Sequence, residues 1–93
     1  MIAGFKDADA ERLWQAGTSR RIPADLRRSV LRKLLHLQNA EQLSDLRIPP
    51  GNRLEALSGD RVGQHSIRVN DQFRICFVWR DGNAYQVEIV DYH

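Results

Sequence analysis

The spacing of apolar residues along this chain changes once, from helix-like to strand-like. Up to about residue 38, apolar side chains recur every three or four positions, and from Gln64 onward they alternate with polar ones. The first spacing is typical of a helix with one buried face, and the second of a strand with one buried face. The pattern therefore predicts helices first and an antiparallel meander of strands afterwards.

A short strand and a short helix are predicted at the start of the chain. Residues 1–5 form an apolar run suited to a strand. In the helix that follows, Asp7 or Asp9 can cap the first turn, where the helix dipole favours acids, and Gly17 lies where the helix ends. The apolar positions with helical spacing are Ala10, Leu13 and Trp14.

The second helix is predicted over about residues 23–38, with Pro23 in its first turn. One apolar stripe with helical spacing runs along it, formed by Leu26, Val30, Leu31, Leu34, Leu35 and Leu37. The opposite face carries the basic residues Arg27, Arg28, Arg32 and Lys33. The stripe is expected to bury against the sheet and the basic face to stay in solvent.

The strands follow a breaker at Pro49-Pro50-Gly51-Asn52. Leu54 and Leu57 indicate a short strand, and residues 59–63 read as a tight loop. The alternating apolar sets that come next are Ile67 and Val69 with His65, then Phe73, Ile75, Phe77 and Trp79, then Tyr85, Val87 and Ile89.

The register of these strands is constrained by the requirement that the apolar sets share one core. Directly paired residues point to the same side of a sheet, so both connections must hold an odd number of residues. A loop at 70–72 then pairs Ile67 with Ile75 and Arg68 with Arg74. A three-residue loop at 81–83 pairs Phe77 with Val87 and Ile75 with Ile89, whereas a two-residue turn would place Phe77 opposite Gln86.

Composition limits the class of protein. With 93 residues, 42% hydrophobic and 28% charged, the chain is expected to form a single globular domain over residues 1–93. No apolar run approaches the roughly 20 residues of a membrane span, and no signal-peptide pattern precedes the first helix, so a cytoplasmic location is expected. The lone Cys76 excludes a disulfide framework and a cysteine metal site, and is interpreted as a small buried hydrophobe.

Charge is distributed unevenly along the chain, although the net charge is only +2. Residues 1–38 carry eight Lys or Arg against four acids, and residues 39–93 carry six against eight. Such a basic excess can bind a polyanion or an acidic protein, or can simply be the solvated face of a helix.

The polar face of the predicted sheet gathers groups that suit a phosphate. The register places Arg68 beside Arg74, with Ser66 and Glu88 on the same face and Tyr92 diagonal to Arg74. Adjacent arginines repel each other unless an anion joins them, the side chains splay into solvent or Glu88 neutralises one of them. Two guanidiniums and a stackable phenol at one end of a small sheet suit RNA.

The last three residues, Asp91-Tyr92-His93, all carry titratable groups directly after an apolar strand. They are either a solvated tail or a segment held by strand pairing. A held histidine can transfer protons at physiological pH. His36 and His65 are interpreted as structural, on the helix and on the core-facing side of the first long strand.

These motifs together resemble a known family. Gly59-Asp60-Arg61-Val62-Gly63, the run Phe73-Arg74-Ile75 and the closing Asp91-Tyr92-His93 are similar to the HigB branch of the RelE-like bacterial toxins. The resemblance implies an α+β fold in which a short N-terminal strand and two helices pack on a mainly antiparallel β-sheet.

The resemblance also implies a function. It suggests the toxin of a type II toxin–antitoxin pair, an endoribonuclease that cleaves mRNA in the ribosomal A site and so inhibits translation and growth. Its implied partners are a HigA-type antitoxin and mRNA on the ribosome, with operator DNA reached only through the antitoxin and no membrane. No metal or other cofactor is expected.

Site residues follow from the same resemblance. Asp91, Tyr92, His93 and Arg74 correspond to the family's catalytic positions, and Arg68 is expected to bind phosphate with Arg74. Family members can have a histidine and a lysine before the Gly-Asp-Arg motif, where this chain has Glu55 and Ser58, and these two are also assigned to RNA binding. His93 is then the only imidazole placed in the site.

RNA chemistry suggests how these groups divide the work. A base removes the 2′-hydroxyl proton, a cation stabilises the phosphorane and an acid protonates the leaving 5′-oxygen. His93 is assigned as acid or base, Arg74 as phosphate clamp and Tyr92 as stacking group, with Asp91 orienting His93. Two other hypotheses stay open: a non-catalytic or weakly catalytic RNA- or ribosome-binding toxin, and a metabolic or regulatory domain on a similar scaffold.

Overall fold

A computed structural model describes residues 1–92 of the chain and shows an α+β fold. Two helices, α1 (Ala8–Ala16) and α2 (Ala24–Asn39), precede four antiparallel strands in the order β1-β2-β3-β4. The strands are β1 (Glu55–Ala56), β2 (His65–Arg68), β3 (Phe73–Arg80) and β4 (Asn83–Asp91). Short 3₁₀ turns at Leu43–Arg47, Pro50–Asn52 and Gly59–Arg61 occupy the connection between α2 and β2. The predicted fold class is confirmed.

Helix α1 begins and ends where the sequence indicates. Asp7 is the cap, because its Oδ1 accepts the backbone N–H groups of Asp9 and Ala10 at 2.9 and 3.2 Å. Gly17 ends the helix in the left-handed region, with φ 74°. Leu13 and Ala10 are fully buried.

Helix α2 lies within one residue of its predicted range and buries Val30, Leu34 and Leu37 completely. Leu35 was wrongly included in the buried stripe, since it is 49% exposed. It follows Leu34 by one residue, about 100° around the helix, which turns its side chain away from the sheet.

Lys33 corrects the prediction of a solvent-facing basic face. Its side chain is buried and donates to Asn52 Oδ1. The amide of Asn52, itself fully buried, donates to the carbonyls of Leu46 and Ile48 at 3.1 and 3.4 Å. Burial lowers the pKa of Lys33, and the charges of Arg32 and Arg68 lower it further.

Arg27 does not point freely into solvent either. Its guanidinium donates to the carbonyls of Ser19 and Ile22 at 2.7 and 3.2 Å. Arg28 and Arg32 remain exposed. The N-terminal basic excess is therefore partly used to hold the loop before α2.

The core lies between the helices and one face of the sheet. Strand β2 pairs with β3 in the predicted register, with Ile67 opposite Ile75 and Arg68 opposite Arg74. The fully or nearly fully buried side chains of this face are Ile67, Phe73, Ile75, Phe77, Ala84, Val87 and Ile89. Even-numbered residues of β2 and β3 consequently point to the other face.

The β3–β4 connection differs from the predicted three-residue loop. Arg80 pairs with Asn83, so the turn is the two residues Asp81 and Gly82, both with positive φ. The register then shifts by one residue at Gln86, whose φ is 52°. This β-bulge restores the predicted pairing of Ile75 with Ile89 and lets both strands bury apolar residues on the same face.

The bulge also explains the position of Tyr85, which was wrongly assigned to the core. Tyr85 pairs with Val78 on the face away from the helices, and the Arg80 guanidinium lies 4.6 Å from its ring centroid. Ala84 and Trp79 pair on the core side instead.

The predicted N-terminal strand is reduced to two parallel bridges on the outer edge of β4. They join Ile2 to Ala84 and Phe5 to Val87. The N–H of Ala3 donates to the carbonyl of Ala84 at 2.7 Å, and that of Val87 to the carbonyl of Gly4 at 3.1 Å. No helix within residues 1–92 has the length and apolar character needed to cross a membrane.

Candidate active site

A pocket of about 300 Å³ opens on the sheet face away from the helices. It is lined by Glu55, Arg68, Asn70, Asp71, Arg74 and Tyr92. Four of these, Glu55, Arg68, Arg74 and Tyr92, are residues that the sequence assigned to the site. Strand register brings them together, because β1 pairs with β2, β2 with β3, and Tyr92 directly follows β4.

Two hydrogen bonds orient Arg74 in the lining of this pocket. Its Nε donates to the fully buried Ser66 Oγ at 2.8 Å, and its Nη2 donates to the carbonyl of Arg53 at 2.8 Å. Arg53 has φ 45° and follows the Pro50–Asn52 turn. The proline-rich breaker thus supplies a carbonyl that orients the guanidinium, leaving other N–H donors available for a phosphate.

Arg68 lies opposite Arg74 but has a different kind of partner. Its guanidinium forms a salt bridge with Asp71, in the turn three residues later. The Asp71 side chain is 95% exposed, so solvent screens this pair and an incoming anion can compete for Arg68.

Glu88 does not neutralise either of these arginines, which removes one alternative suggested by the sequence. It pairs with Arg61 and lies 3.9 Å from Lys6 Nζ. The two adjacent guanidiniums of Arg68 and Arg74 therefore use separate acceptors.

Tyr92 extends the strand pairing beyond the end of β4. Its N–H donates to the carbonyl of Gln72 at 2.8 Å. The ring centroid lies 6.0 Å from Arg74 Cζ, and the hydroxyl lies 3.8 Å from Cys76 Sγ. Burial and the contact with Cys76 raise the pKa of Tyr92, so the phenol is protonated at neutral pH and is suited to stacking or hydrogen bonding.

Asp91 pairs with Phe73, and its Oδ2 accepts a hydrogen bond from Gln72 Nε2 at 3.0 Å. The polar turn before β3 therefore holds the start of the Asp91-Tyr92-His93 segment. His93 lies outside the described residues, and its assigned role and its relation to Asp91 stay predictions.

The two positions that depart from the family pattern are placed differently. Glu55, on β1 opposite Ser66, lines the pocket beside the arginines. Ser58 precedes the Gly59–Arg61 turn, is exposed and does not line the pocket. The structure brings Glu55 to the site but leaves Ser58 beside it.

Outside the pocket, Cys76 is buried, and His36 and His65 are half-buried. Cys76 is fully buried, as predicted, and burial raises the pKa of its thiol. His65 stacks on Phe77, with ring centroids 6.4 Å apart. Burial lowers the pKa of His36, and the charges of Lys33 and Arg32 lower it further. Neither histidine's Nδ1 has a hydrogen-bond partner among the described residues.

Sequence reasoning missed several residues that shape the site. Asn70 and Asp71 line the pocket, and the carbonyl of Arg53 orients Arg74. The predicted turn at 70–72 was the available signal for the first two, because it follows Arg68 directly. Nothing in the periodicity pointed to Arg53, since the contact uses its backbone.

Comparison with known proteins now bears on these observations. Residues 3–93 match the family described as the RelE-like toxin of the type II toxin–antitoxin system HigB. The chain belongs to the HigB-like toxin family. Membership of this family implies an antitoxin partner.

Individual HigB-like relatives cover most of the chain. It is 46% identical over 85 residues to the toxin HigB-1 of Vibrio cholerae, spanning 90% of each chain. It is 32% identical over 97 residues to the endoribonuclease HigB of Proteus vulgaris, spanning all of both chains. A Haemophilus influenzae protein without an assigned function is 37% identical over 81 residues, or 86% of this chain and 80% of that one.

Proposed function

We propose that this chain is an endoribonuclease that cleaves mRNA in the ribosomal A site and thereby inhibits translation and growth. The observation that carries the proposal is the pocket in which Arg68, Arg74 and Tyr92 meet. Two guanidiniums suit a phosphate and the aromatic ring suits an unstacked base. The Proteus vulgaris relative, named an endoribonuclease, supports the same activity.

The proposed reaction is attack of a 2′-hydroxyl on the adjacent phosphorus, with departure of the 5′-oxygen. Arg74 is preoriented by Ser66 and the carbonyl of Arg53, and it stabilises the charge that develops on the phosphorane. Tyr92 stacks on or positions the nucleotide, and Arg68 binds phosphate in exchange for Asp71. The 2′-hydroxyl loses a proton and the leaving 5′-oxygen gains one, and His93 acts as the base or the acid in this transfer, with Asp91 as its orienting group.

The remaining assignments concern Glu55, Ser58, the metal requirement and the partners. Glu55 contributes a carboxylate at the pocket wall, where it is a second candidate proton acceptor, and Ser58 borders the RNA path. The scheme uses no metal ion. The partners are mRNA on the ribosome in the cytoplasm and a HigA-type antitoxin that neutralises the toxin, with operator DNA reached only through the antitoxin.

Comparison of His93→Gln with Arg74→Ala tests the proposal. His93→Gln keeps polarity but removes proton transfer, so single-turnover cleavage on programmed ribosomes should fall by roughly a hundred- to ten-thousandfold. Ribosome co-sedimentation should barely change. Arg74→Ala should weaken both, because Arg74 contacts phosphate in the ground state and in the transition state.

Two controls define how this proposal fails. Purified protein should be nearly inert on free mRNA, because a small site needs the ribosome to orient its substrate. Comparable cutting of free and ribosome-bound message by primer extension would contradict ribosome dependence. Unchanged cuts with His93→Gln would contradict the role of His93 and make Glu55 the acceptor to test.

A toxin that only binds RNA or the ribosome is the second candidate. The observation favouring it is that Glu55, which lines the pocket, and Ser58 stand where family members can have a histidine and a lysine, so the site lacks two basic groups. Growth arrest without mRNA cuts, in the wild-type chain and in His93→Gln alike, would support this candidate over the nuclease.

A further inference from the structure

Arg61 fixes the Gly59–Arg61 turn onto the pocket side of the sheet. Its Nη1 donates to Glu88 on β4 and to Gln64 Oε1, the latter at 3.0 Å. The Arg61–Glu88 pair joins residues 27 positions apart in the chain. It therefore ties the connection before β2 to β4, the strand that Tyr92 directly follows.

The Arg61–Glu88 pair is more enclosed than the Arg68–Asp71 salt bridge on the same face. The two side chains are 31% and 15% exposed, whereas Asp71, the partner of Arg68, is 95% exposed. Hydrogen bonding to Glu88 raises the pKa of Arg61, although partial burial opposes this. Loss of Arg61 would remove the closer of two cationic partners of the half-buried Glu88, since Lys6 Nζ lies 3.9 Å away.

The pair is connected to Tyr92 through Cys76. Glu88 is the direct cross-strand neighbour of Cys76 on β3, and the Cys76 thiol contacts the Tyr92 hydroxyl at 3.8 Å. The charge of Arg61 also reaches the phenol, where it partly offsets the effect of burial on the pKa of Tyr92. Arg61 and Glu88 thus reach the phenol through Cys76 and through charge, although neither lines the pocket.

We propose that Arg61, through its ion pair with Glu88, is a positioning residue that holds Tyr92 at the mouth of the pocket. This inference rests on the proposed nuclease function of that site. Tyr92 lies just past the end of β4 and is 47% exposed, so its ring orientation depends on the side chains around it. Small displacements of a substrate-positioning group can cost up to roughly a hundredfold in rate.

A double-mutant cycle with Arg61→Gln and Tyr92→Ala tests the proposal on programmed ribosomes. Arg61→Gln should slow single-turnover cleavage roughly ten- to hundredfold in the wild-type background. In the Tyr92→Ala background the same change should cost less than about threefold, because the group that Arg61 positions is already absent. Fully additive losses would overturn the inference.

The single cysteine supplies a second readout that does not require cleavage. Cys76 is fully buried and in contact with Tyr92, so its reaction with a thiol reagent reports whether the phenol stays in place. Arg61→Gln should accelerate this reaction at least about tenfold in folded protein by local opening, and should add little to Tyr92→Ala. An unchanged thiol rate would overturn the inference even for a chain that does not cleave RNA.

Arg21→Gln is the matched control for a purely structural effect. Arg21 also holds β4, through the carbonyl of Ile89 at 3.2 Å and a salt bridge with Asp7, but on the side of α1. It should lower the thermal midpoint without changing cleavage or thiol reactivity in the folded protein. If Arg61→Gln and Arg21→Gln lost equal amounts of cleavage, and the unfolded fraction accounted for both losses, Arg61 would not be a positioning residue.

The charge-reversed pair Arg61→Glu with Glu88→Arg completes the design. It should restore most of the cleavage rate that either single substitution loses, because it rebuilds an ion pair at the same place. Absence of wild-type cleavage would reject the proposed function, whereas normal wild-type cleavage with an unaffected Arg61→Gln variant would reject only this inference.

Discussion

The two faces of strand β3 differ in how their side chains are held. On the helix side, Ile75 and Phe77 are fully buried among apolar neighbours. Hydrophobic contacts of this kind do not depend on the orientation of particular atoms. On the pocket side, Arg74 is held by two directed hydrogen bonds, from Nε to Ser66 and from Nη2 to a carbonyl. Residue spacing assigned these side chains of β3 to their faces, but it does not identify the atom that orients a guanidinium.

This difference separates what each face should control. Apolar burial on the helix side is the largest favourable contribution to folding. The pocket side carries half-buried cations whose positions matter for a phosphate. Substitutions on the helix side should therefore change stability, and those on the pocket side should change cleavage.

The largest expected effect on stability is that of Phe77→Ala. Removing a fully buried ring should lower the free energy of unfolding by about 3–5 kcal/mol, measured by urea denaturation. Cleavage per folded molecule should be unchanged. A loss below about 1 kcal/mol would mean that the core collapses around the cavity and that the two faces differ less than proposed.

Tyr92→Ala is the matched aromatic substitution on the pocket side. Because the ring is 47% exposed, its removal should cost about 1 kcal/mol or less, while cleavage falls strongly. A stability loss equal to that of Phe77→Ala would show that the pocket face is also part of the core.

An intermediate effect is expected for Asp9→Asn, which tests a polar network on the helix side. Asp9 accepts hydrogen bonds from Ser19 Oγ and from the N–H of Arg20, the latter at 2.8 Å, and so ties α1 to the loop before α2. The loss at neutral pH should be about 1–2 kcal/mol, the order of a hydrogen bond to a charged group. Cleavage per folded molecule should not change.

The same variant predicts a pH dependence of stability. Burial tends to raise the pKa of Asp9, but hydrogen bonds and the charge of Arg21 bring it below its ordinary value of 3.8. The stabilisation is therefore present above pH 3.8 and is lost as pH falls through the folded-state pKa. The free energies of unfolding of the wild type and the Asp9→Asn variant should therefore converge at low pH. A constant difference at all pH values would contradict a stabilising role for the ionised Asp9 carboxylate.

The smallest effect is expected at the Gln86 bulge, which sets the β3–β4 register for both faces of the sheet. Gln86 is exposed and has φ 52°, so Gln86→Gly should stabilise the fold by up to about 1 kcal/mol. Gln86→Val should destabilise it by about 1 kcal/mol, because a β-branched residue disfavours positive φ. Equal thermal midpoints for the two variants would indicate that the bulge is not strained.

Much of the fold was predictable because it depends on period and on helix signals. The apolar period predicted both helices, Asp7 or Asp9 and Gly17 marked the ends of α1, Pro23 marked the start of α2, and the alternation predicted the pairing of Ile67 with Ile75. A two-residue Asp81-Gly82 turn does not fit an uninterrupted pairing of β3 with β4, so the apolar pattern favoured a three-residue loop. A bulge at Gln86 satisfies the same constraint on the core, and the pattern of apolar residues does not distinguish the two solutions.

The site was predictable as a set of neighbours but not as a network of contacts. The shared face of Arg68, Arg74 and Tyr92 followed from register alone. The partners of Arg61 and Lys33 did not, because both contacts depend on where the irregular segment between residues 40 and 64 returns to the fold. Tertiary contacts of this kind have no local period in the sequence.

The parallel bridges between the N-terminal segment and β4 have a kinetic consequence. They join Ile2 to Ala84 and Phe5 to Val87, from opposite ends of the chain. Such contacts require closure of a long loop before they stabilise anything, and the entropy of that closure slows folding more than it lowers stability. The helices and the local β2–β3 hairpin can form early, whereas attachment of the first residues to β4 is expected among the last steps of folding.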